Sequence, residues 1–151
     1  MRRFLIPWFV FFPFLVSNAV AQYQNTEANI DEFCRSEWTK RGALDARMYE
    51  HCRRRQREGL QDISHLKQQY VTFDWLVEAE QAIVTKWTKR GIVDYAMVHF
   101  SLNREVEAYL DLAYGLNHGQ FRRSDFESCY ARWARQKDKQ WGMTLYCLNR
   151  D

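Results

Sequence analysis

The chain has 151 residues, of which 46% are hydrophobic and 27% charged, a composition typical of a folded globular domain. Only six glycines and two prolines occur, which excludes collagen-like and low-complexity structures and favours long helices. The formal charge of +3 falls to +1 without Arg2 and Arg3. Net charge therefore gives no support to nucleic-acid binding.

The first 21 residues have the pattern of a secretory signal peptide. Two arginines precede an uncharged apolar run, 4–16, and the motif Ala19-Val20-Ala21 resembles a cleavage site. A transmembrane anchor is the alternative, but two prolines interrupt the run, and a span needs about 20 apolar residues. The sequence therefore predicts cleavage after Ala21, followed by an exported domain of residues 22–151. This domain is expected in the periplasm or secreted, with no stable membrane insertion.

The pattern after the signal predicts an all-α fold in one compact domain, with residues 22–29 loose and no strand. Apolar residues recur three and four positions apart, and Gly and Asp residues mark the expected helix ends. The first two expected helices are 30–40 and 45–57, and Gly59 ends the second. The third is 62–90, opened by Asp62, and the fourth is 94–114, followed by a loop at 115–119. A capping box of Ser124 and Glu127 opens the fifth, and the sixth ends near Leu148.

Four cysteines in an exported chain indicate two disulfides, because the compartment is oxidising. Three pairings are possible, and the spacing favours one, since 18 positions separate Cys34 from Cys52 and also Cys129 from Cys147. Zinc ligation is the competing interpretation, but no C-x-x-C motif occurs and one histidine alone adjoins a cysteine. We therefore expect these two disulfides, no metal and no cofactor.

The sequence also predicts a threefold internal repeat. The segment WTKRG occurs at 38–42 and again at 87–91, 49 residues later, and a more diverged copy follows after another 46 residues. Each copy has Trp four residues after the first cysteine position and Met four residues before the second. In the middle copy the cysteine positions are Ile83 and Ser101. The repeat cores are 34–52, 83–101 and 129–147.

The spacing within each copy predicts an antiparallel helical hairpin, clipped by a disulfide in the first and third copies. Residues four apart share a helix face, so a Met sulfur is expected to pack on an indole inside each hairpin. Asp45 and Asp94 are expected to cap the second helices. Because it lacks a disulfide, the middle hairpin is predicted to open first. The predicted repeat core is Trp38, Met48, Trp87, Met97, Trp133 and Met143.

No familiar catalytic motif, such as a P-loop or H-E-x-x-H, occurs in the sequence. The four histidines are scattered, and each is expected to be a surface or hydrogen-bonded polar residue. Glu105 or Glu107 with Asp111 would suit a carboxylate pair of a cell-wall hydrolase. The i, i+4 spacing of Glu107 and Asp111 is explained more simply by a solvated helix face. The sequence predicts no catalytic residue and favours a protein that is not an enzyme.

Basic residues recur at the predicted hairpin turns and would form one rim if the hairpins stacked side by side. Such a rim would suit phosphates, lipid head groups or an acidic protein. Exposed turns that carry charge for solubility are the simpler interpretation. The candidate rim residues are Lys40, Arg41, Arg53, Arg54, Arg55, Lys89, Arg90, Arg135 and Lys137.

Three functions remain open at this point. The first expectation is a non-enzymatic exported module that binds an envelope protein, because helical repeats commonly form binding surfaces. The second is an enzyme or inhibitor that acts on cell-wall or lipid material with a site between hairpins. The third is binding of an anionic polymer by the basic rim, which would weaken steeply with salt.

Overall fold

The computed structural model describes residues 17–150, with side chains from Thr26 onward, and most of the predicted signal peptide lies outside the described residues. Six helices make up 74% of the described structure, so the predicted all-α class is confirmed. They are α1 Ser17–Trp38, α2 Ala46–Gln69, α3 Trp75–Lys86, α4 Tyr95–Asn117, α5 Arg123–Trp133 and α6 Gln140–Leu148. We refer to α1 with α2 as hairpin 1, α3 with α4 as hairpin 2, and α5 with α6 as hairpin 3.

The first helix is longer than the sequence indicated. Residues 22–29 were expected to be loose, but they are helical within α1, so that prediction is wrong. Tertiary contacts order this segment, since Arg57 forms an ion pair with Glu27 at 2.7 Å and Asn29 donates to the carbonyl of Gly91 at 3.1 Å. The predicted cleavage motif lies in the first turns of α1, and cleavage there stays a prediction.

Glycine does not end α2 or α4, contrary to expectation. Helix α2 continues through Gly59 to Gln69, and α3 begins at Trp75 rather than near Asp62. A Cβ at position 59 would lie 2.8 Å from the carbonyl oxygen of Tyr95, so glycine lets α4 pack closely on α2. Helix α4 likewise continues through Gly115, where a Cβ would lie 2.4 Å from the Phe121 ring. Close packing, and not chain reversal, therefore explains both glycines.

The start of α5 also differs from the prediction. The N-cap residue is Arg122, and no side chain forms a capping hydrogen bond there. The Ser124 hydroxyl instead donates to Asp125 at 3.3 Å, so the expected capping box is wrong. Ser124 lies one residue inside the helix, where its hydroxyl is no longer placed to accept from the N3 backbone.

Two short antiparallel ribbons join the helices of hairpins 1 and 2, although no strand was expected. They pair β1 Thr39–Lys40 with β2 Ala43–Leu44, and β3 Thr88–Lys89 with β4 Ile92–Val93. Both turns have two successive residues with positive φ, which are Arg41 and Gly42 in one and Arg90 and Gly91 in the other. Two-residue hairpin turns of this kind match the right-handed strand twist.

The predicted helix caps after these two turns are confirmed. The Asp45 carboxylate accepts from the N–H of Met48, and Asp94 accepts from the N–H of Met97, each at 3.1 Å. No such ribbon lies between α5 and α6. The threefold repeat therefore stays a prediction, and positions related by its offsets of 49 and 46 residues are called corresponding positions below.

Both predicted disulfides are present, with Cα–Cα distances of 5.7 Å for Cys34–Cys52 and 5.9 Å for Cys129–Cys147. In hairpin 2 the corresponding residues are Ile83, which is fully buried, and Ser101, which is half-buried. The Trp87 indole N–H donates to the Ser101 hydroxyl at 2.9 Å. A hydrogen bond and apolar packing therefore connect the two helices where a disulfide connects them in hairpins 1 and 3.

The second helices of the hairpins lie side by side, with α4 packed between α2 and α6. The largest buried cluster joins α2, α3 and α4, a smaller one surrounds the Cys34–Cys52 disulfide, and a third lies between α4 and α6. Tyr95, the first residue of α4, packs against both the first and the second cluster. Each hairpin is thus held to the next by the start of that next hairpin's second helix.

Candidate functional site

The first junction between hairpins is built around Gln56, a buried residue of α2. Its amide oxygen accepts from the backbone N–H of Tyr95 at 2.7 Å, and its amide N–H donates to the Asp94 carboxylate at 2.8 Å. The first N–H groups of a helix have no partner within the helix. Gln56 therefore caps α4 from the neighbouring hairpin.

Glu105 has the same role at the second junction, between α4 and α6. Its carboxylate accepts from the backbone N–H groups of Trp141 at 2.7 Å and Gly142 at 3.2 Å. Burial raises the pKa of Glu105, and the two N–H donors act in the opposite direction. The side chain oxygen of the nearby Gln140 is buried without a hydrogen-bond partner among the described residues.

A groove of about 510 Å³ lies beside this junction, and we call it the interhairpin groove. Phe100 and Tyr146 line it, and each is 53% exposed. All three carboxylates proposed from the sequence also line it, together with Asp138. Its lining residues are Lys86, Trp87, Met97, Phe100, Ser101, Arg104, Glu105, Glu107, Ala108, Asp111, Asp138, Lys139, Gly142, Met143, Leu145 and Tyr146.

Two of these carboxylates accept hydrogen bonds from other groups of the protein. Both oxygens of Glu105 accept from the start of α6, and Glu107 accepts from the Asn103 amide at 2.7 Å. Asp111 is exposed. The groove thus brings the predicted acidic residues together, but it uses the buried one to hold hairpin 3 in place.

A second cleft, of about 620 Å³, lies between α5 and α6, and we call it the terminal cleft. Only residues of hairpin 3 and its flanking turns line it, and both cysteines of the 129–147 disulfide are among them. Arg122 pairs with Asp125 at 2.7 Å, and the Arg150 guanidinium lies 5.4 Å from the Tyr146 ring centre. The lining residues are Arg122, Asp125, Ser128, Cys129, Arg132, Trp133, Met143, Tyr146, Cys147, Leu148 and Arg150.

Six residues that line the terminal cleft lie 46 positions after six residues that line one wall of the interhairpin groove. On hairpin 2 this wall is Lys86, Trp87, Met97, Phe100, Ser101 and Arg104. The corresponding residues on hairpin 3 are Arg132, Trp133, Met143, Tyr146, Cys147 and Arg150. Hairpin 3 faces the first wall, whereas no described element packs over the second.

The six residues of the predicted repeat core are all half-buried, and none belongs to the fully buried set. Trp87 and Met97 line the interhairpin groove, and Trp133 and Met143 line the terminal cleft. Trp38 packs at the edge of the cluster around the first disulfide. These tryptophans and methionines therefore form walls of surface grooves at the edge of the core.

Several residues of the predicted basic rim lie close to acidic side chains, and the alignment of the turns into one rim stays a prediction. Arg53 lies 3.7 Å from Glu27, Arg54 lies 3.9 Å from Glu58, and Lys137 lies 3.2 Å from Glu78. The turn of hairpin 2, with Lys89 and Arg90, contacts Asn29 in the middle of α1. The turn of hairpin 1, with Lys40 and Arg41, follows Trp38 at the end of α1, nine residues or about 14 Å further along. Arg55 and Arg135 are exposed on α2 and after α5.

Sequence reasoning missed the arginines of the terminal cleft. Arg122 carried no signal, because nothing in the pattern places the N-cap of α5 beside the end of α6. Arg132 and Arg150 are the hairpin 3 counterparts of Lys86 and Arg104, so the repeat offset would have indicated them.

No group of three or more potential metal ligands occurs within residues 26–150, and no described helix is long and apolar enough to cross a membrane. His51 contacts Arg54, and His118 stacks on Tyr114, so these histidines have local partners. Comparison of the chain with protein-family models, curated proteins and solved structures found no match.

Proposed function

We propose that this chain is an exported, disulfide-stabilised binding module whose protein partner packs into the terminal cleft. One observation carries the proposal: the wall that faces hairpin 3 on hairpin 2 recurs on hairpin 3, and no described element covers it. A surface that holds a polypeptide at one position of the fold is suited to hold another at the corresponding position.

The composition and rigidity of the cleft support this proposal. Trp133, Tyr146 and Met143 line it together with three arginines, and aromatic, Met and Arg side chains are enriched at protein interfaces. The disulfide Cys129–Cys147 connects its two helices, which lowers the entropy lost on binding. The predicted signal peptide and the two disulfides both favour a non-cytoplasmic location for such a partner.

Site-directed photocrosslinking tests the proposal. A photoreactive residue is placed at Ser128, which lines the cleft, or at Glu127, which is exposed but does not line it. The oxidised protein is incubated with an extract of cell-envelope proteins from the source cells. One polypeptide crosslinked at 128 and not at 127 would support the proposal. Equal labelling from both positions, or none from 128, would contradict it.

The interhairpin groove offers a second candidate, an enzyme or inhibitor acting on cell-wall or lipid material. The observation in its favour is a buried carboxylate, Glu105, beside the exposed rings of Phe100 and Tyr146. A cell-wall turnover assay with Glu105→Gln distinguishes it. This function requires activity in the native protein that disappears in the folded variant and remains in Glu107→Gln.

A further inference from the structure

We infer that the polypeptide segment held by the terminal cleft is acidic and pairs a carboxylate with Arg132. This inference rests on the proposed function and adds the chemistry of the partner. It follows from the charge of the cleft, from the way hairpin 3 occupies the corresponding wall, and from the distance between the arginines.

The terminal cleft has an excess of positive charge. Among the described residues, three guanidinium groups line it against one carboxylate, that of Asp125, which is already paired with Arg122 at 2.7 Å. Arg132 is exposed, and no described carboxylate lies within ion-pair distance of it. A partner that approaches this cleft therefore gains from negative charge, whereas a basic segment is repelled.

The occupied wall of hairpin 2 shows how such charge is used inside this protein. Lys86 corresponds to Arg132, and its ammonium group pairs at 2.9 Å with the carboxylate of Asp138 in the turn before α6. Trp141, in the first turn of the same helix, is buried against α4. We expect the partner to dock in the same way, with an acidic turn on Arg132 and the start of a helix beside Tyr146.

The spacing of the arginines favours a polypeptide over a small anion. Arg122 and Arg132 lie ten residues apart at the two ends of α5, which corresponds to about 15 Å along the helix. A segment that carries more than one carboxylate matches this backbone spacing better than a single phosphate or carboxylate does. An extended segment with carboxylates at both ends of the cleft engages both.

A second copy of this chain does not have the required features. At its free end, hairpin 1 has Ala43 where hairpin 3 has Asp138, and Ala46 where hairpin 3 has Trp141. The adjoining turn carries Lys40 and Arg41, which would face the arginines of the cleft. Self-association through this surface is therefore disfavoured by both charge and packing.

Charge reversal with a matched control tests the inference. The Ser128 crosslink first identifies the partner and the peptide of the partner that lies in the cleft. The affinity of that peptide for the full-length oxidised chain is then measured. We expect that peptide to contain Asp or Glu in a turn. Arg132→Glu should weaken binding at least tenfold, Arg135→Glu on the adjoining turn less than twofold, and the neutral variant Arg132→Gln by an intermediate amount. Replacing the partner's acidic residue with Arg should restore binding to Arg132→Glu.

The possible failures are distinguishable. A polypeptide crosslinked at 128 that lacks an acidic turn, or that binds Arg132→Glu as tightly as wild type, overturns the acidic-segment inference and leaves the proposed function intact. Capture of a second copy of this chain also overturns it. Absence of any polypeptide at 128, with saturable binding of inorganic polyphosphate instead, overturns both. If each variant unfolds at the same temperature as wild type, a change in affinity comes from the binding surface and not from loss of the fold.

Discussion

Gln56 and Glu105 lie at corresponding positions of α2 and α4, and each accepts hydrogen bonds from the first N–H groups of the next hairpin's second helix. At the first junction the Gln56 amide also donates to Asp94. At the second junction Gln140 takes the place of Asp94. Each junction therefore contains one carboxylate, on opposite sides of the contact, and avoids two buried like charges.

Replacement of Glu105 by Gln should stabilise the protein at neutral pH. The substitution removes a buried charge. Gln140, whose side-chain oxygen has no hydrogen-bond partner among the described residues, stands at the position where Asp94 accepts from the Gln56 amide, so we expect the new amide N–H to donate to it. We expect the free energy of unfolding to rise by about 1 kcal/mol, the usual net contribution of one hydrogen bond. Denaturant unfolding measures this, with the exposed Glu107→Gln as the control. A loss of stability in Glu105→Gln would contradict the proposed role of burial.

The stability difference between wild type and Glu105→Gln should depend on pH. The pKa of Glu105 is raised in the folded protein, so its stabilising contribution is full below the unfolded value and disappears as pH rises through the folded value. Wild type should therefore lose stability relative to the variant from about pH 4.5 upward. Paired unfolding curves across this range check the sign, and a difference independent of pH would show that the carboxylate is not responsible.

The reverse change at the first junction, Gln56→Glu, should destabilise the protein. It would place a second carboxylate within hydrogen-bond distance of Asp94. The Gln56 residue that it replaces is 97% buried. We expect a loss of about 2–4 kcal/mol at neutral pH, partly recovered in acid as the new carboxylate is protonated. The matched control is Gln61→Glu, which changes the same residue type at an exposed position of α2. Equal losses of stability in the two variants would show that the contact between residue 56 and Asp94 is not responsible.

Gly142→Ala should destabilise the native protein but stabilise it when Glu105 is absent. A Cβ at position 142 would lie 2.9 Å from a carboxylate oxygen of Glu105, so that side chain must move and lose its contact with α6. We expect a cost of about 1–3 kcal/mol in wild type. In the Glu105→Ala background the higher helix propensity of Ala should give a gain of up to about 1 kcal/mol. A double-mutant cycle measures this coupling, and additive effects would exclude it.

Hairpin 2 should exchange its amide hydrogens unevenly. Helix α4 is packed between α2 and α6, whereas α3 is connected to α4 by apolar packing and the Trp87–Ser101 hydrogen bond in place of a disulfide. We therefore expect amides of α3 near Ile83 to exchange faster than those of α1 near Cys34. Hydrogen exchange with mass spectrometry tests this in the oxidised protein. Reduction of the disulfides should remove the difference, and equal protection before reduction would contradict the prediction.

Local patterns predicted most of the fold. The equal spacing of the cysteines identified both disulfides, and Asp45 and Asp94 were recognised as caps because a cap acts within one helical turn. The same local reasoning was wrong at Gly59. A glycine after a helical pattern usually indicates an end, but here α4 approaches the residue from another hairpin.

The candidate sites depended on contacts that local patterns do not encode. The carboxylates at 105, 107 and 111 were considered from the sequence, yet only the packing of α6 on α4 shows that Glu105 is buried and caps a helix. The terminal cleft required α5 and α6 to be placed side by side before Arg132 and Arg150 formed one surface.

Residues within about one hairpin of chain were enough to predict the helical class, the disulfide pairing and the aspartates that cap the helices after the two ribbon turns. The close contacts at Gly59 and Gly115, the burial of Glu105 and the open terminal cleft depend on how the hairpins pack. Those properties arise where hairpins meet, and the residues concerned, such as Gln56 with Tyr95 and Glu105 with Trp141, are 39 and 36 positions apart. That packing determines burial. It therefore also determines the raised pKa of Glu105 and the exposure of the arginines in the terminal cleft.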